Sequence, residues 1–218
     1  MEEEPSAKPQ SRPRSGRSQT RRDQKKLTDW RPAIEAGQIS AFFLDECHLL
    51  WGDACGYIWG PTDQRVEVPI ENSRRRQTYY GAVNIFTGQF YLRPYERANG
   101  HYTVTFVRYL LRHYPEQQLV IFWDGATYHR YGEMIEFLQK VNQGLTQDQW
   151  RVTCVLLTPH APQENPVEDV WLKAKTFVRR HFYLATSFDK VKQLFMHAIK
   201  SESYFDFPKL DQYMPTYA

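Results

Sequence analysis

The sequence contains little cysteine and no long apolar run, and both absences limit what the protein can be. Its three cysteines, Cys47, Cys55 and Cys154, are too few and too odd in number for a disulfide scaffold. No stretch approaches the roughly 20 apolar residues that span a membrane, and the three glutamates near the N-terminus are unlike a signal peptide. We therefore predict a protein of the reducing cytoplasm with no membrane partner.

Apolar residues are also scarce at the N-terminus, where basic residues dominate. Residues 8–26 hold eight lysines and arginines against one acid, Asp23. Such a segment cannot bury a core, so we predict a disordered basic tail over residues 1–30 and one folded domain over residues 31–218. The tail is either a solvated leader or an electrostatic arm for nucleic acid. Its candidate DNA-binding residues are Arg12, Arg14, Arg17, Arg21 and Arg22.

Apolar runs and helical spacing predict a mixed α/β domain. The predicted strands cover residues 41–51, 118–126 and 152–159, and a hairpin over 77–86 and 89–95 turns at Thr87-Gly88. Four helices are predicted. The first ends at Pro115, and the second covers 131–142 with Met134, Ile135 and Leu138 inward. The third runs from Asn165-Pro166 to about Phe182, and the fourth covers 188–200.

Two acidic residues occupy strand positions that packing explains poorly. Asp45 interrupts an apolar strand after Phe42-Phe43-Leu44, and Asp124 ends the strand that begins at Leu119. A buried ionised carboxylate is costly unless it is paired or bound to a cation. Carboxylates at strand ends that face a shared crevice are a common way to build an ion site.

A third acid, Glu168, allows two interpretations. With Asn165 as N-cap and Pro166 at the first helical position, it fits a capping box and would cap its own helix. It also lies about 100° around the helix from Val167, so it borders the buried stripe and could turn toward the strand ends. The residues alone leave both interpretations open.

The order strand-Asp, strand-Asp, helix-Glu resembles the mariner-type DDE transposases, and their bacterial insertion-sequence branch in particular. The matching blocks are FFLDE (42–46), FWDGATYH (122–129) and TPHAPQENPVEDVW (158–171), and the resemblance covers roughly residues 40–200. It implies an RNase H-like fold, a mixed central sheet flanked by helices with the acids at one edge. It also implies DNA transposition in a bacterial cytoplasm, at the nucleoid when the protein is bound to DNA.

The resemblance implies that Asp45, Asp124 and Glu168 are catalytic and hold two Mg²⁺ ions, which Mn²⁺ can replace. Two such ions about 3.5–4 Å apart serve both ends of an in-line displacement at a phosphodiester. Magnesium prefers oxygen ligands, which suits three carboxylates. We expect Asp45 to bridge both ions, with Asp124 completing one site and Glu168 the other.

The implied partner is double-stranded DNA, both the inverted-repeat ends of a transposon and the target. Pairing of two ends favours a homodimer on DNA. Members of the family read the ends with N-terminal helix-turn-helix modules, whereas here only the basic tail precedes the first block. We therefore expect a separately encoded helix-turn-helix subunit or domain, although a shortened or remnant chain also fits. The 43 residues between Asp124 and Glu168 are more than the family usually has, and the polar stretch 142–150 predicts a loop insertion.

Residues around the predicted site have less distinct roles. Lys175 and Arg179 follow Glu168 by seven and eleven positions on one helix face, where they would hold the DNA backbone or form a solvated stripe. Trp171 is expected to pack in the core rather than stack on a base. For His129 and His160 a structural or loop role is favoured over contact with a phosphate or a leaving group. Glu46 should point away from Asp45, because adjacent strand residues face opposite sides. Cys47, His48 and Cys55 lack a fourth zinc ligand, which favours buried free thiols.

Two other functions are consistent with the same residues. One is a DNA-binding remnant that keeps the fold but no longer transposes, although the three acids are intact. The other is a different RNase H-like nuclease, against which the NPVEDVW string argues.

Overall fold

The chain folds around one five-stranded sheet. A computed structural model describes residues 27–55, 63, 75–130, 132–157 and 165–201. The strands are β1 (Ile39–Leu50), β2 (Arg76–Asn84), β3 (Phe90–Tyr95), β4 (Gln118–Trp123) and β5 (Val152–Leu156). The helices are α1 (27–35), α2 (Gly100–His113), α3 (Thr127–Arg130), α4 (Glu133–Val141), α5 (Val167–Arg180) and α6 (Phe188–Ser201).

Strand β1 lies at the centre of the sheet, whose order is β3-β2-β1-β4-β5. It pairs antiparallel with β2 on one side and parallel with β4 on the other, and β5 continues in parallel beside β4. The parallel ladder of β1 and β4 reaches the pair Phe43 and Phe122. This mixed sheet flanked by helices is the RNase H-like fold that the sequence predicts.

Both faces of the sheet are covered, which explains why the central strands are continuous apolar runs. Alternate side chains of β1 enter opposite cores, because successive residues of a strand face opposite sides. Phe43 and Cys47 pack in the core beneath α1, α5 and α6, whereas Phe42 and Leu44 pack in the core beneath α2 and α4. Asp45 has the parity of Phe43 and therefore belongs to the side of α5.

The predicted hairpin and most predicted helices are confirmed. Strands β2 and β3 pair antiparallel, and Gly88 in their turn has a φ of 68°, a conformation that glycine adopts at little cost. The expectation that Ile135 points inward is wrong, since its side chain is 40% exposed and Phe137 is buried in its place. The predicted helix over 131–142 is α4, and the short α3 precedes it. Packing against α2 buries the row of α4 that contains Met134 and Phe137, which are three residues apart.

The described residues start at Leu27, within the predicted tail of residues 1–30. Leu27, the first residue of α1, is fully buried in the core beneath α5 and α6. The five candidate arginines of the tail, Arg12 to Arg22, lie outside the described residues, as does His160. Within the described ranges, every helix is too short or too polar to cross a lipid bilayer.

Candidate active site

Asp45 lies in the middle of the sheet and faces helix α5. It pairs with Gly81 of β2 and is half-buried, and its Oδ2 accepts a hydrogen bond of 2.9 Å from the indole Nε1 of Trp171. Asp45 and Asp124 each lie two residues beyond the pair of Phe43 and Phe122. The two aspartates therefore lie level with each other on neighbouring parallel strands, Asp45 within β1 and Asp124 just past the end of β4.

Gly81 makes room for the indole that holds Asp45. A Cβ at Gly81 would lie 2.6 Å from Cη2 and Cζ2 of Trp171, closer than such carbons can approach. Trp171 is 3% exposed, so the prediction that it packs in the core is confirmed. Its hydrogen bond to Asp45 was missed, although Trp171 follows Glu168 by three residues on one helix face, a spacing that could have indicated a shared site.

Glu168 perturbs Asp45 directly. The pKa of Asp45 is raised well above its usual range, first by burial and then by the charges of Glu168 and Glu46, against which the Trp171 hydrogen bond acts. Two carboxylates held this close repel each other unless one is protonated or a cation lies between them. Their oxygen atoms are the ligands that Mg²⁺ prefers, so Asp45 and Glu168 fit a divalent cation.

Asn165 joins the start of α5 to the strand that carries Asp45. Its Oδ1 accepts the backbone N–H of Val167 at 3.1 Å, which confirms its predicted capping role. Its Nδ2 donates to the carbonyl oxygen of Leu44 at 3.1 Å. Asn165 is 4% exposed, and these buried bonds fix the first turn of α5, and with it Glu168, beside Asp45.

Asp124 follows the last residue of β4, and its side chain is 61% exposed. Its Oδ1 accepts a hydrogen bond of 3.0 Å from the backbone N–H of Ala126 and lies 3.1 Å from Nδ1 of His129, which also lies 3.3 Å from the carbonyl oxygen of Asp124. The bond from His129 is the main cause that lowers the pKa of Asp124 below its usual range. Asp124 is therefore an ionised carboxylate at neutral pH.

His129 connects Asp124 to Glu46 on the other side of the sheet. Its Nε2 lies 3.0 Å from Oε1 of Glu46, and its ring stacks on Trp123 with centroids 4.4 Å apart. Burial would lower the pKa of His129, but the hydrogen bonds to Asp124 and Glu46 raise it to about 9. Glu46 faces away from Asp45, as predicted, whereas the link through His129 was missed. The only sequence signal for this link was a histidine five residues after Asp124.

Of the three predicted acids, Asp45 and Glu168 interact electrostatically, and the described contacts of Asp124 are with His129 and Ala126. Asp45 and Glu168 are close enough to shift a pKa, whereas Asp124 binds His129. In the described parts of the chain, no group of three or more His, Cys, Asp or Glu side chains is arranged to hold a metal ion. The predicted triad is therefore a pair and a neighbouring single carboxylate in this conformation.

A cavity of about 390 Å³ opens beside Glu168. Its lining residues are Glu46, Cys47, His48, Glu168, Trp171, Leu172 and Lys175. Lys175 Nζ lies 3.3 Å from Oδ1 of Asp53 and donates to the carbonyl oxygen of His48, so this cation lies at the predicted site. Arg179 lies one turn further along α5 and is half-buried.

The cysteines near the site are free thiols. Burial raises the pKa of Cys47 to about 12, so this thiol stays protonated and a poor metal ligand. Cys55 is exposed, which corrects the expectation that it is buried. It lies beyond the 3-10 turn Trp51–Ala54, where the chain has left the sheet.

An RNase H-like sheet with carboxylates on two neighbouring parallel strands, one within the central strand and one just past the end of its neighbour, defines a class of metal-dependent nucleases and strand transferases. The chain belongs to the DDE superfamily endonucleases, whose family model matches residues 40–194. The predicted resemblance to the DDE enzymes is thus confirmed, and the narrower bacterial insertion-sequence branch stays a prediction.

Solved structures of similar fold are remote in sequence. The Mos1 transposase paired-end complex with left transposon end is 12% identical, with 94% of this chain and 68% of that chain covered and a TM-score of 0.47. A chain of the simian T-cell lymphotropic virus intasome in complex with PP2A regulatory subunit B56 gamma is 10% identical (72% and 47% covered, TM-score 0.47). The catalytic core domain of BIV integrase is 11% identical (74% and 81%, TM-score 0.44). The chain thus spans less than half of the intasome chain. No curated protein matches its sequence.

Proposed function

We propose that the chain is the catalytic domain of a transposase that cleaves DNA at insertion-sequence ends and joins them to a target. The observation that carries this proposal is that α5 faces Asp45: Trp171, three residues after Glu168, donates to the Asp45 carboxylate, and the Glu168 charge adds to burial in raising the pKa of Asp45. Packing alone gives no reason to hold two like charges together. A cation between them does.

In this proposal Asp45, Asp124 and Glu168 hold two Mg²⁺ ions, which Mn²⁺ can replace. When bound, the ions activate water or a 3′ hydroxyl and stabilise the leaving oxygen. Trp171 orients the Asp45 carboxylate through its hydrogen bond, and Asn165 keeps Glu168 beside it. Asp124 lies at the end of the adjacent strand and is ionised, which supports its part as the third ligand.

The cavity beside the acids suits the DNA backbone. Lys175 lies on its wall, so a phosphate near the acids would meet a cation. Arg179, further along α5, extends this positive line. We propose that the basic residues of the N-terminal tail add sequence-independent affinity for the same DNA.

The remaining partners follow from the proposed reaction. Two transposon ends must be held together, which favours a homodimer on double-stranded DNA. Recognition of the end sequence is assigned to a helix-turn-helix subunit or domain. The setting proposed for this reaction is a bacterial cytoplasm.

Strand cleavage by amide variants tests the proposal. Asp45→Asn, Asp124→Asn and Glu168→Gln keep the shape of each side chain and remove its charge, so each should reduce Mg²⁺- or Mn²⁺-dependent nicking of end-containing DNA to background. Asp169→Asn, at the residue next to Glu168, is the matched control and should cleave like the parent. Melting temperatures recorded in parallel show whether each variant is folded.

Three outcomes would point to other functions. If Glu168→Gln loses about 1 kcal/mol of stability but still cleaves, Glu168 only caps its helix. DNA binding without cleavage by the parent would identify a remnant that no longer transposes. Cleavage of any DNA, or of RNA in a hybrid, with no joining to a target would indicate a different RNase H-like nuclease.

A further inference from the structure

The buried link between Glu46, His129 and Asp124 has no part in the proposed chemistry described so far. His129 and Glu46 side chains are 1% and 5% exposed, so neither is a solvent-facing residue that happens to meet a partner. Both lie on the side of the sheet opposite Asp45, and only Asp124 extends from this link toward solvent. A polar chain of this kind is costly to bury unless all its members are paired.

His129 is fixed at both nitrogens and on one ring face. Its Nε2 binds Glu46, its Nδ1 binds Asp124, and its ring is parallel to Trp123 within 7°. The second oxygen of Glu46 receives a weaker contact of 3.4 Å from the hydroxyl of Tyr128. The imidazole therefore has one orientation, and its Nδ1 marks a defined point beside the end of β4.

The contacts of Asp124 divide unequally between its two oxygens. Oδ1 accepts from the backbone N–H of Ala126 at 3.0 Å and lies 3.1 Å from Nδ1 of His129, which also contacts the carbonyl oxygen of Asp124 at 3.3 Å. Among the described residues, Oδ2 receives no hydrogen bond. Carboxylates that bind metal ions are commonly held in this manner, with one oxygen bound to the protein and the other to the ion.

We propose that His129 is a positioning residue of the active site: held by Glu46, it fixes Oδ1 of Asp124 and so leaves Oδ2 to bind a divalent cation. The inference rests on the proposed function, in which Asp124 is a metal ligand. It differs from a structural role, in which the same bonds would only anchor the turn between β4 and α3.

A pair of matched substitutions separates the two bonds of His129. In His129→Asn the side-chain amide can replace Nδ1 and still donate to Asp124. In His129→Gln the longer amide reaches the position of Nε2, so it keeps the contact with Glu46 and loses the one with Asp124. His181→Gln, at the opposite end of α5 from Glu168, controls for loss of a half-buried histidine.

The measurement is the affinity of the whole chain for Mn²⁺ alone, by calorimetry without DNA, together with the melting temperature. We expect His129→Gln to weaken Mn²⁺ binding by about 10–100-fold, as loss of such supporting bonds does elsewhere. His129→Asn should retain most of the affinity, and His181→Gln all of it. If His129→Gln does not fold, Glu46→Gln, which keeps a hydrogen-bond acceptor, should weaken Mn²⁺ binding by a smaller factor.

The outcomes distinguish this inference from the proposed function. If the parent binds Mn²⁺ and both His129→Gln and Glu46→Gln bind it equally well, the inference is overturned while the proposed function stands. Equal losses in His129→Asn and His129→Gln would also overturn it, since the bond to Asp124 would then be irrelevant. A parent chain that does not bind Mn²⁺ overturns both.

Discussion

Replacing Gly81 with alanine tests whether the space beside Asp45 exists to hold Trp171. The added Cβ would lie 2.6 Å from two carbons of the indole and 2.7 Å from Cζ of Phe90. The indole cannot move outward freely, since Trp171 is 3% exposed and stacks on Phe195 with ring centroids 6.2 Å apart. The substitution should therefore displace the indole and break its hydrogen bond to Asp45.

The expected cost is about 3 kcal/mol of unfolding free energy. Overpacking a filled core costs about 1–3 kcal/mol, and a hydrogen bond to a charged group contributes about 1.5–3 kcal/mol. The two losses are not additive, and alanine recovers about 0.5–1 kcal/mol of backbone entropy relative to glycine. A loss of this size is a large part of the roughly 5–15 kcal/mol that stabilises a typical domain.

Urea unfolding of Gly81→Ala, Trp171→Phe and the double variant measures this cost. Phenylalanine lacks the ring that contains Cη2 and Cζ2, so it relieves the clash, and the double variant should lose less stability than the sum of the single variants. Additive losses, or a Gly81→Ala variant within about 0.5 kcal/mol of the parent, the range of neutral substitutions, would refute the reasoning.

The remaining predictions concern charge. Hydrogen bonds to two carboxylates raise the pKa of His129 from 6.5 to about 9. The protonated imidazole therefore stabilises the folded protein fully below pH 6.5, and this stabilisation is lost as the pH rises through 9. In metal-free protein at pH 6, the free energy of unfolding of the parent should exceed that of His129→Gln by on the order of 3 kcal/mol, from about 1.4 kcal/mol for each pKa unit. A difference in stability that stays constant up to pH 10 would contradict this. Lys175→Ala and Arg179→Ala should each leave the fold intact and weaken DNA binding by the same factor for all sequences. Unchanged binding would show that Lys175 and Arg179 only contact solvent. Deleting residues 1–26 should reduce the slope of log DNA affinity against log salt concentration. An unchanged slope would show that the tail is a passive leader.

The strands and the positions of the acids could be predicted because they depend on local sequence. A continuous apolar run marks a strand buried on both faces, and Asp45 and Asp124 stand out where they interrupt or end one. The turn at Gly88 is likewise local. The resemblance to DDE enzymes then grouped acids that lie far apart in the chain.

The partners of these acids could not be predicted, because they depend on tertiary register. Trp171 and Asp45 are 126 positions apart, and His129 and Glu46 are 83 apart, so no local pattern joins them. The error at Ile135 also has a tertiary cause. Helical spacing allows either Ile135 or Phe137 on the buried face with Met134, and the packing of α4 against α2 buries Phe137.

A crystal structure of the chain with Mn²⁺, in which anomalous scattering locates the ions, tests the central claim most directly. We expect Mn²⁺ bound to carboxylate oxygens of Asp45, Asp124 and Glu168, with Oδ1 of Asp124 still in contact with His129. Ions bound elsewhere would contradict it. So would carboxylates more than about 10 Å apart, too far to share two ions spaced about 3.5–4 Å.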